Sequence, residues 1–146
     1  MILLDTNVVL AAQRADHPHH GDVRRWFKDL TSGSDQFGVP STVWASYLRL
    51  TTNRRIFKVP TPVADAFAFL VAVRSQPNHL PVEPGDRHFA LLEELCRQAD
   101  AVADLVPGAA LAAIAIEHGL QLVSFDRDFA RFPGLRWRLP GEAEGH

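Results

Sequence analysis

Aspartate residues follow two short apolar segments near opposite ends of the chain. Asp5 comes after Ile2-Leu3-Leu4, and Asp126 comes after Leu122-Val123-Ser124-Phe125. Two carboxylates about 4 Å apart repel by roughly 4 kcal/mol at an effective dielectric near 20, so they need a cation or a shared proton. Oxygen ligands favour hard cations such as Mg²⁺ or Mn²⁺, and such an ion can activate water to attack a phosphodiester. If folding brings these acids together, we predict a divalent-metal site.

Each aspartate also has a simpler structural interpretation. Asp5 can cap the helix predicted to follow it, and Asp126 and Asp128 can cap the short turn around Phe129. For any one of these residues, capping is a sufficient explanation. Only the combination of the acids favours metal binding.

Short apolar strands alternate with helical segments along the chain. Strands are predicted at 2–4, 37–39 and 122–124, with a weaker candidate at 80–82 and an edge strand at 135–139. Helices are predicted over 7–13, 22–30, from about 41, 62–75, 85–98 and 107–118, with Thr61 as an N-cap and Gly119 as a stop signal. Strands separated by helices predict a three-layer α/β/α fold around a parallel sheet of four or five strands.

The predicted sheet decides where a site would lie. Ligands of parallel sheets bind beyond the carboxyl ends of the strands. Asp5 and Asp126 stand at two such ends, so we expect their carboxylates to face one cleft. The length fits a single domain over 1–140, followed by a loose tail at 141–146.

Composition excludes several other classes of protein. The formal net charge is −2, so the molecule as a whole is not a basic nucleic-acid-binding protein. Local clusters of arginine nevertheless permit a polyanion partner. The single cysteine, Cys96, excludes an intrachain disulfide and a CxxC metal site. The sequence shows neither a signal peptide nor an apolar run long enough to span a membrane. We therefore expect the protein to reside in the reducing cytoplasm. His17, His19 and His20 flank a proline, which favours a surface loop, or one histidine packed on the next helix, over a zinc site.

The segments that carry the acids resemble the PIN-domain family. Leu4-Asp5-Thr6-Asn7 is similar to the opening of PIN domains, 105–115 to the helix with their third acid, and 122–129 to their closing strand. Segments 48–53 and 132–137 resemble VapC toxins, and the resemblance extends to about residue 140. It implies a PIN-like fold and a Mg²⁺- or Mn²⁺-dependent endoribonuclease that cleaves structured RNA (tRNA, rRNA or mRNA). It also implies the toxin component of a VapBC-type toxin–antitoxin system, with a VapB-type antitoxin as partner, and a homodimer.

Two positions depart from the family pattern. Ser46 stands where PIN domains usually have a glutamate, and Gly108 stands where they usually have the third acid. Asp104 lies four positions before Gly108 and can serve either as a substitute ligand or as a helix cap. These residues favour one bound metal over a full two-metal site.

The predicted site therefore has two groups of residues. The catalytic and metal-binding group is Asp5, Asp104 and Asp126, and the substrate-positioning group is Asn7, Ser46 and Ser124. A second hypothesis stays open because of Ser46 and Gly108. On that hypothesis the chain is a catalytically weakened PIN-fold protein that acts by binding its antitoxin or RNA.

Overall fold

The computed structural model describes residues 1–142 and contains one parallel sheet flanked by helices. The strands are β1 (Ile2–Leu4), β2 (Phe37–Gly38), β3 (Gln121–Val123) and β4 (Trp137–Arg138). The helices are α1 (Thr6–Gln13), α2 (His20–Ser32), α3 (Ser41–Thr51), α4 (Val63–Arg74), α5 (His88–Ala99) and α6 (Leu105–Glu117), and a 3₁₀ helix covers Arg127–Arg131.

The four strands lie in the order β2-β1-β3-β4, and every neighbouring pair is parallel. Leu3 of β1 pairs with Gly38 on one side and with Leu122 on the other. Leu3 and Leu122 are completely buried, as expected for a parallel sheet covered on both faces. The predicted α/β fold with a parallel sheet is therefore confirmed, with four strands.

Helix α6 packs closely on the rest of the core because its buried face is built from small side chains. Ala109, Ala112, Ala113 and Ala115 are all completely buried, and α6 contacts both α5 and β3. The helix ends as the sequence predicts. Gly119 takes a left-handed conformation (φ 67°), and Leu120 N–H donates to the Ala115 carbonyl over 2.8 Å, which pairs a carbonyl at the end of the helix.

The weak strand prediction at 80–82 is wrong. Leu80 N–H donates to the Phe37 carbonyl over 2.9 Å, and only an isolated bridge joins Phe37 and His79. Pro81 follows directly and has no N–H with which to continue the ladder. The sheet therefore gains no fifth strand from this segment. The predicted edge strand at 135–139 is confirmed, but only Trp137 and Arg138 pair.

Helix starts differ from the prediction where side chains bind elsewhere. Thr61 does not cap α4. Its hydroxyl instead accepts from the buried Arg14 guanidinium over 2.9 Å and contacts the Thr51 hydroxyl at 2.8 Å. Helix α5 begins at His88 and not at 85, because the Glu117 carboxylate binds the backbone N–H groups of residues 85 and 87.

Helices α2 and α6 begin earlier than predicted. Helix α2 starts at His20, whose Nδ1 lies 2.8 Å from the Ala11 carbonyl of α1, and it continues through Ser32. Helix α6 starts at Leu105, because Pro107 falls in the first turn, where a missing N–H is tolerated. No helix within residues 1–142 is long and apolar enough to cross a membrane. Of the predicted tail, residues 143–146 lie outside the described residues.

Candidate active site

The buried hydroxyl of Ser124 connects the carboxyl ends of β1 and β3. Ser124 Oγ donates to Asp5 Oδ2 over 2.7 Å and accepts from Asn7 Nδ2 over 3.1 Å. The same oxygen accepts from the backbone N–H of Asp126 over 3.0 Å. Asn7 Oδ1 in turn accepts from the backbone N–H of Phe125 over 3.2 Å. These bonds hold the start of α1 and the segment after β3 in a fixed relation.

Asp5 both caps a helix and contributes to this cluster. Its Oδ1 accepts from Thr6 N–H over 2.7 Å at the start of α1, while its Oδ2 accepts from Ser124. Burial raises the pKa of the Asp5 carboxyl above its ordinary value, and the nearby charge of Asp126 also raises it. The hydrogen bonds from Ser124 and Thr6 oppose that rise in the pKa. Capping and a role in the site are therefore compatible for this residue.

Asp126 is exposed at the mouth of the same region. Its Oδ1 accepts from Asp128 N–H over 2.9 Å and caps the 3₁₀ helix, as the structural interpretation predicts. Its side chain also lines a cleft of about 250 Å³ together with Asp5. The expected meeting of these two acids at one edge of a parallel sheet is observed.

Asp104 reaches the same cleft from the start of α6. It precedes the helix with backbone angles in the helical region, and its side chain makes no capping hydrogen bond within the described residues. Its carboxylate lines the cleft that Asp5 and Asp126 also line. The geometry gives no support to the capping interpretation of Asp104.

The two positions that depart from the family pattern also face this cleft. Ser46 lines it from α3 and Gly108 from α6. A Cβ at Gly108 would lie 3.8 Å from the Phe129 ring, which is ordinary van der Waals contact. The remaining lining residues are Thr6, Thr42, Val43, Pro107, Leu111 and Phe129. Thr42 was not among the predicted site residues, although its spacing of four from Ser46 places both hydroxyls on one face of α3.

The donor set of the cleft fits a hard divalent cation. Its chemical groups are carboxylates and hydroxyls, and Mg²⁺ is commonly held by one or two carboxylates while it retains water ligands. The negative charges of Asp5 and Asp126 disfavour each other, and a bound cation would relieve this repulsion. Within residues 1–142, no group of three His, Cys, Asp or Glu side chains is close enough to form a complete ligand set by itself.

In the part of the chain that the structure describes, the histidines that follow α1 belong to no group of three potential metal ligands. His20 binds the Ala11 carbonyl, and His19 stacks on Phe125 with ring centroids 4.1 Å apart and an angle of 12° between the planes. Sequence reasoning predicted a surface loop here and missed the stacking, because His19 and Phe125 lie far apart in the chain.

Comparison with known proteins identifies the family. The profile of the PIN domain matches residues 2–135. The chain is 60% identical over 140 residues to ribonuclease VapC25 of Mycobacterium tuberculosis, an alignment that covers 96% of this chain and 99% of the relative. It is 37% identical over 146 residues to ribonuclease VapC43 of the same species, covering 100% of this chain and 99% of the relative.

Solved structures share the fold at low sequence identity. VapBC2 from Rickettsia felis, bound to a DNA fragment from their promoter, superposes with a TM-score of 0.68 at 18% identity, covering 95% of this chain and 98% of that one. Mycobacterium tuberculosis VapC20, described as a sarcin-ricin loop cleaving toxin, superposes with a TM-score of 0.66 at 21% identity, covering 93% and 99%. The profile match and the extent of these alignments establish that this chain belongs to the PIN domain family.

Proposed function

We propose that this protein is a divalent-metal-dependent endoribonuclease that acts on structured RNA as the toxin of a VapBC-type toxin–antitoxin pair. The observation that carries the proposal is the convergence of Asp5, Asp104 and Asp126 on one cleft at the carboxyl edge of the sheet. Relatives of this chain at 60% and 37% identity are named ribonucleases, which supports the same activity. The resemblance in sequence names Mg²⁺ or Mn²⁺ as the ion.

The residues of the cleft have separable roles in this proposal. Asp5 and Asp126 would hold the ion, and Asp104, which lines the same cleft from α6, would act on the water that the ion retains. When bound, the ion would neutralise the charge of the phosphodiester and activate water. Ser124 keeps the Asp5 carboxylate oriented and favours its ionised form, because its hydroxyl donates to Oδ2. Asn7 fixes the positions of the Ser124 hydroxyl and the Phe125 backbone, because its amide donates to the former and accepts from the latter.

The hydroxyl of Ser46 belongs to a residue that lines the cleft. It stands on the wall formed by α3 and can donate a hydrogen bond to a phosphate oxygen, the contact by which hydroxyl side chains commonly position a nucleic-acid backbone. We therefore assign Asn7, Ser46 and Ser124 to positioning, and the three aspartates to metal binding and catalysis.

Metal-dependent cleavage by the purified protein is the direct test. Total RNA, tRNA and ribosomal RNA are incubated with the protein and Mg²⁺, Mn²⁺ or EDTA, and the products are mapped. We expect cleavage only with a divalent ion, and Asp5→Asn should lower the rate by roughly 10³-fold or more. Asp29→Asn is the matched control, because Asp29 lines a different groove beside Met1 at the other end of β1. Binding of Mn²⁺, measured by calorimetry, gives a readout independent of cleavage.

The alternative is a PIN-fold protein with weakened catalysis, and the substitutions Ser46 and Gly108 favour it. Under that alternative, the wild type cleaves none of these RNAs with any divalent ion, yet still binds the antitoxin or RNA. That outcome would overturn the enzyme assignment and put the binding function in its place.

An apolar groove between α3 and α4 supports an antitoxin partner. Trp44, Leu48, Phe67 and Leu70 line a groove of about 520 Å³. Trp44 is only 5% exposed, and its Nε1–H has no hydrogen-bond partner within the described residues. The apolar lining of the groove suits the hydrophobic face of an amphipathic helix. We assign this groove to an amphipathic segment of a VapB-type antitoxin, which would also bring a basic side chain toward Asp5 and Asp126.

Co-expression with the small reading frame next to the gene, followed by affinity purification, tests the partner. We expect a stable complex and reduced toxicity; recovery of this chain alone with undiminished toxicity would contradict it. The homodimer implied by the resemblance stays a prediction, and light scattering of the purified protein measures it.

A further inference from the structure

A second groove, separate from the acidic cleft, lies on the other side of Asp126. It has a volume of about 580 Å³ and is lined by His19, Phe125, Arg127 and Leu139, among others. Two of these residues, His19 and Phe125, have stacked rings, with centroids 4.1 Å apart and an angle of 12° between the planes. His19 is exposed, and its ring also lies 5.8 Å from the His17 ring, at an angle of 40°.

The backbone around Asp126 connects this groove to the acids. Asp126 has extended backbone angles (φ −81°, ψ 110°), and successive side chains of an extended chain point to opposite sides. Accordingly, Asp126 lines the acidic cleft, whereas its neighbours Phe125 and Arg127 line the second groove. A ligand that spans Asp126 would therefore contact both sites.

Phe125 is anchored to the site. Its N–H donates to Asn7 Oδ1 over 3.2 Å, and the preceding residue, Ser124, binds Asp5. Phe125 also packs partly against the hydrophobic core. The Phe125 half of the stacked pair is thus positioned before a ligand arrives, which lowers the entropy lost on binding.

The charges of the groove favour an uncharged aromatic group over a phosphate in its interior. Asp22 and Glu142 line it and would repel a phosphate, but their carboxylates can accept from the exocyclic amino group of a base. Arg127, next to Asp126, offers a cation to the backbone of the same strand.

We propose that His19 and Phe125 form a stacking platform for a nucleobase of the RNA substrate adjacent to the cleaved bond, and that Arg127 contacts the flanking phosphate. Proteins read unpaired RNA bases by such stacking on aromatic rings. The proposal rests on the ribonuclease function proposed above, and it adds residues that determine which loop sequences are cut.

The test compares intact and abasic substrates. A stem–loop RNA that the wild type cuts is prepared with single abasic nucleotides at each position flanking the cut. His19→Ala and Phe125→Leu should each lower kcat/KM on the intact RNA by about tenfold. At one flanking position, the abasic RNA should be cut about tenfold more slowly by the wild type, and His19→Ala should cause no further loss. Arg127→Ala should lower kcat/KM on both RNAs alike.

Matched controls lie far from the groove. Phe89 of α5 is 79% exposed and lies near Glu117, at the end of α6 opposite to Asp104. Arg136 precedes β4, at the other edge of the sheet. Phe89→Ala and Arg136→Ala should therefore cleave as the wild type does. Thermal unfolding checks that each variant is folded.

Three results would overturn the platform while cleavage by the wild type stands. The first is equal kcat/KM for His19→Ala, Phe125→Leu and the wild type. The second is a loss from His19→Ala that persists unchanged on every abasic substrate. The third is a loss of antitoxin binding alone, which would assign the stacked pair to partner docking. If the wild type cleaves no RNA, the ribonuclease proposal fails by itself. Fluorescence anisotropy with a stem–loop RNA and with its single-abasic forms at each loop position then tests the platform, which predicts about tenfold weaker binding of His19→Ala to the intact RNA and no further loss at one abasic position.

Discussion

Ser124 Oγ donates to Asp5 Oδ2 over 2.7 Å and joins residues that stand 119 positions apart in the chain. The contact follows from the sheet, because β1 and β3 are adjacent and parallel and end at the same edge. It gives Ser124 a definite chemical effect, since a donor to a carboxylate stabilises the ionised form. A buried acid that must be ionised to bind a cation depends on such donors.

Ser124→Ala should shift the pH dependence of cleavage. Burial raises the pKa of Asp5, and the Ser124 bond is the largest effect that opposes it. Without that bond the pKa rises further, so the ionised form is lost at a higher pH and the acidic limb of the pH–rate profile moves upward. At neutral pH we expect about a tenfold loss of metal affinity or rate. Ser75→Ala, on the exposed end of α4, is the control, and an unmoved acidic limb in Ser124→Ala would contradict the role of the hydroxyl.

Asp5→Asn should stabilise the metal-free protein at neutral pH. The folded-state pKa of Asp5 is raised above its unfolded value, so ionised Asp5 opposes folding once the pH rises through the folded-state pKa. The variant removes that charge and keeps a residue suited to capping α1. The gain in Tm should disappear well below pH 3.8, the ordinary pKa of the carboxyl, where Asp5 is protonated in both states.

A divalent ion should reverse this order of stability. At 100 times its Kd, an ion that binds only the folded state stabilises it by about 2.7 kcal/mol. The wild type should show this increase in the free energy of unfolding, and Asp5→Asn should not. An equal increase in both proteins would indicate that the ion binds elsewhere.

Asp104→Ala separates ligand binding from helix capping. Because the Asp104 side chain makes no capping hydrogen bond within the described residues, its removal should change the free energy of unfolding by less than about 0.5 kcal/mol. Because Asp104 would act on the water that the ion retains, its loss should weaken Mn²⁺ binding by about tenfold or more and slow cleavage in proportion. Calorimetry and chemical denaturation measure the two effects separately. A drop of about 1 kcal/mol in stability with normal cleavage would restore the capping interpretation.

Gly108→Asp should strengthen metal binding. The position lines the cleft, and a Cβ there meets the Phe129 ring only at 3.8 Å, so a side chain fits without displacing its neighbours. Gly108→Ala is the matched control, because replacing a glycine within α6 should by itself add about 0.5–1 kcal/mol of stability. Only the aspartate variant should also raise Mn²⁺ affinity. Equal affinity in both variants would show that this position does not face the ion.

Phe67→Glu should weaken antitoxin binding without unfolding the protein. Phe67 is 47% exposed on α4 and lines the groove beside Trp44, so a charge there would be desolvated by the partner at a cost of several kcal/mol. We expect Kd to rise by about 100-fold in titration calorimetry, which corresponds to about 2.7 kcal/mol. Phe89→Glu, on an exposed aromatic of α5, is the control, and similar losses in both variants would argue against this groove.

Local sequence patterns were sufficient for most of the secondary structure. The apolar run before Asp5 predicts β1, the alanine-rich segment before Gly119 predicts α6, and the run before Ser124 predicts β3. These segments have strong, short-range signals, because burial of both faces of a strand or of most of a helix requires continuous apolar residues. Helix starts were predicted less well, because Glu117 and Arg14 bind backbone and side-chain groups that are distant in sequence.

The sequence by itself determined the kinds of atom in the site and the strand ends from which they project. Tertiary structure alone decided that Asp104 faces the cleft and not its own helix, that Ser124 binds Asp5, and that His19 lies flat on Phe125. The physical reason is that these relations join separate elements. Hydrophobic periodicity describes how one segment buries its own face, whereas hydrogen bonds and ring stacking across the sheet edge depend on strand order and on the exact start of each helix.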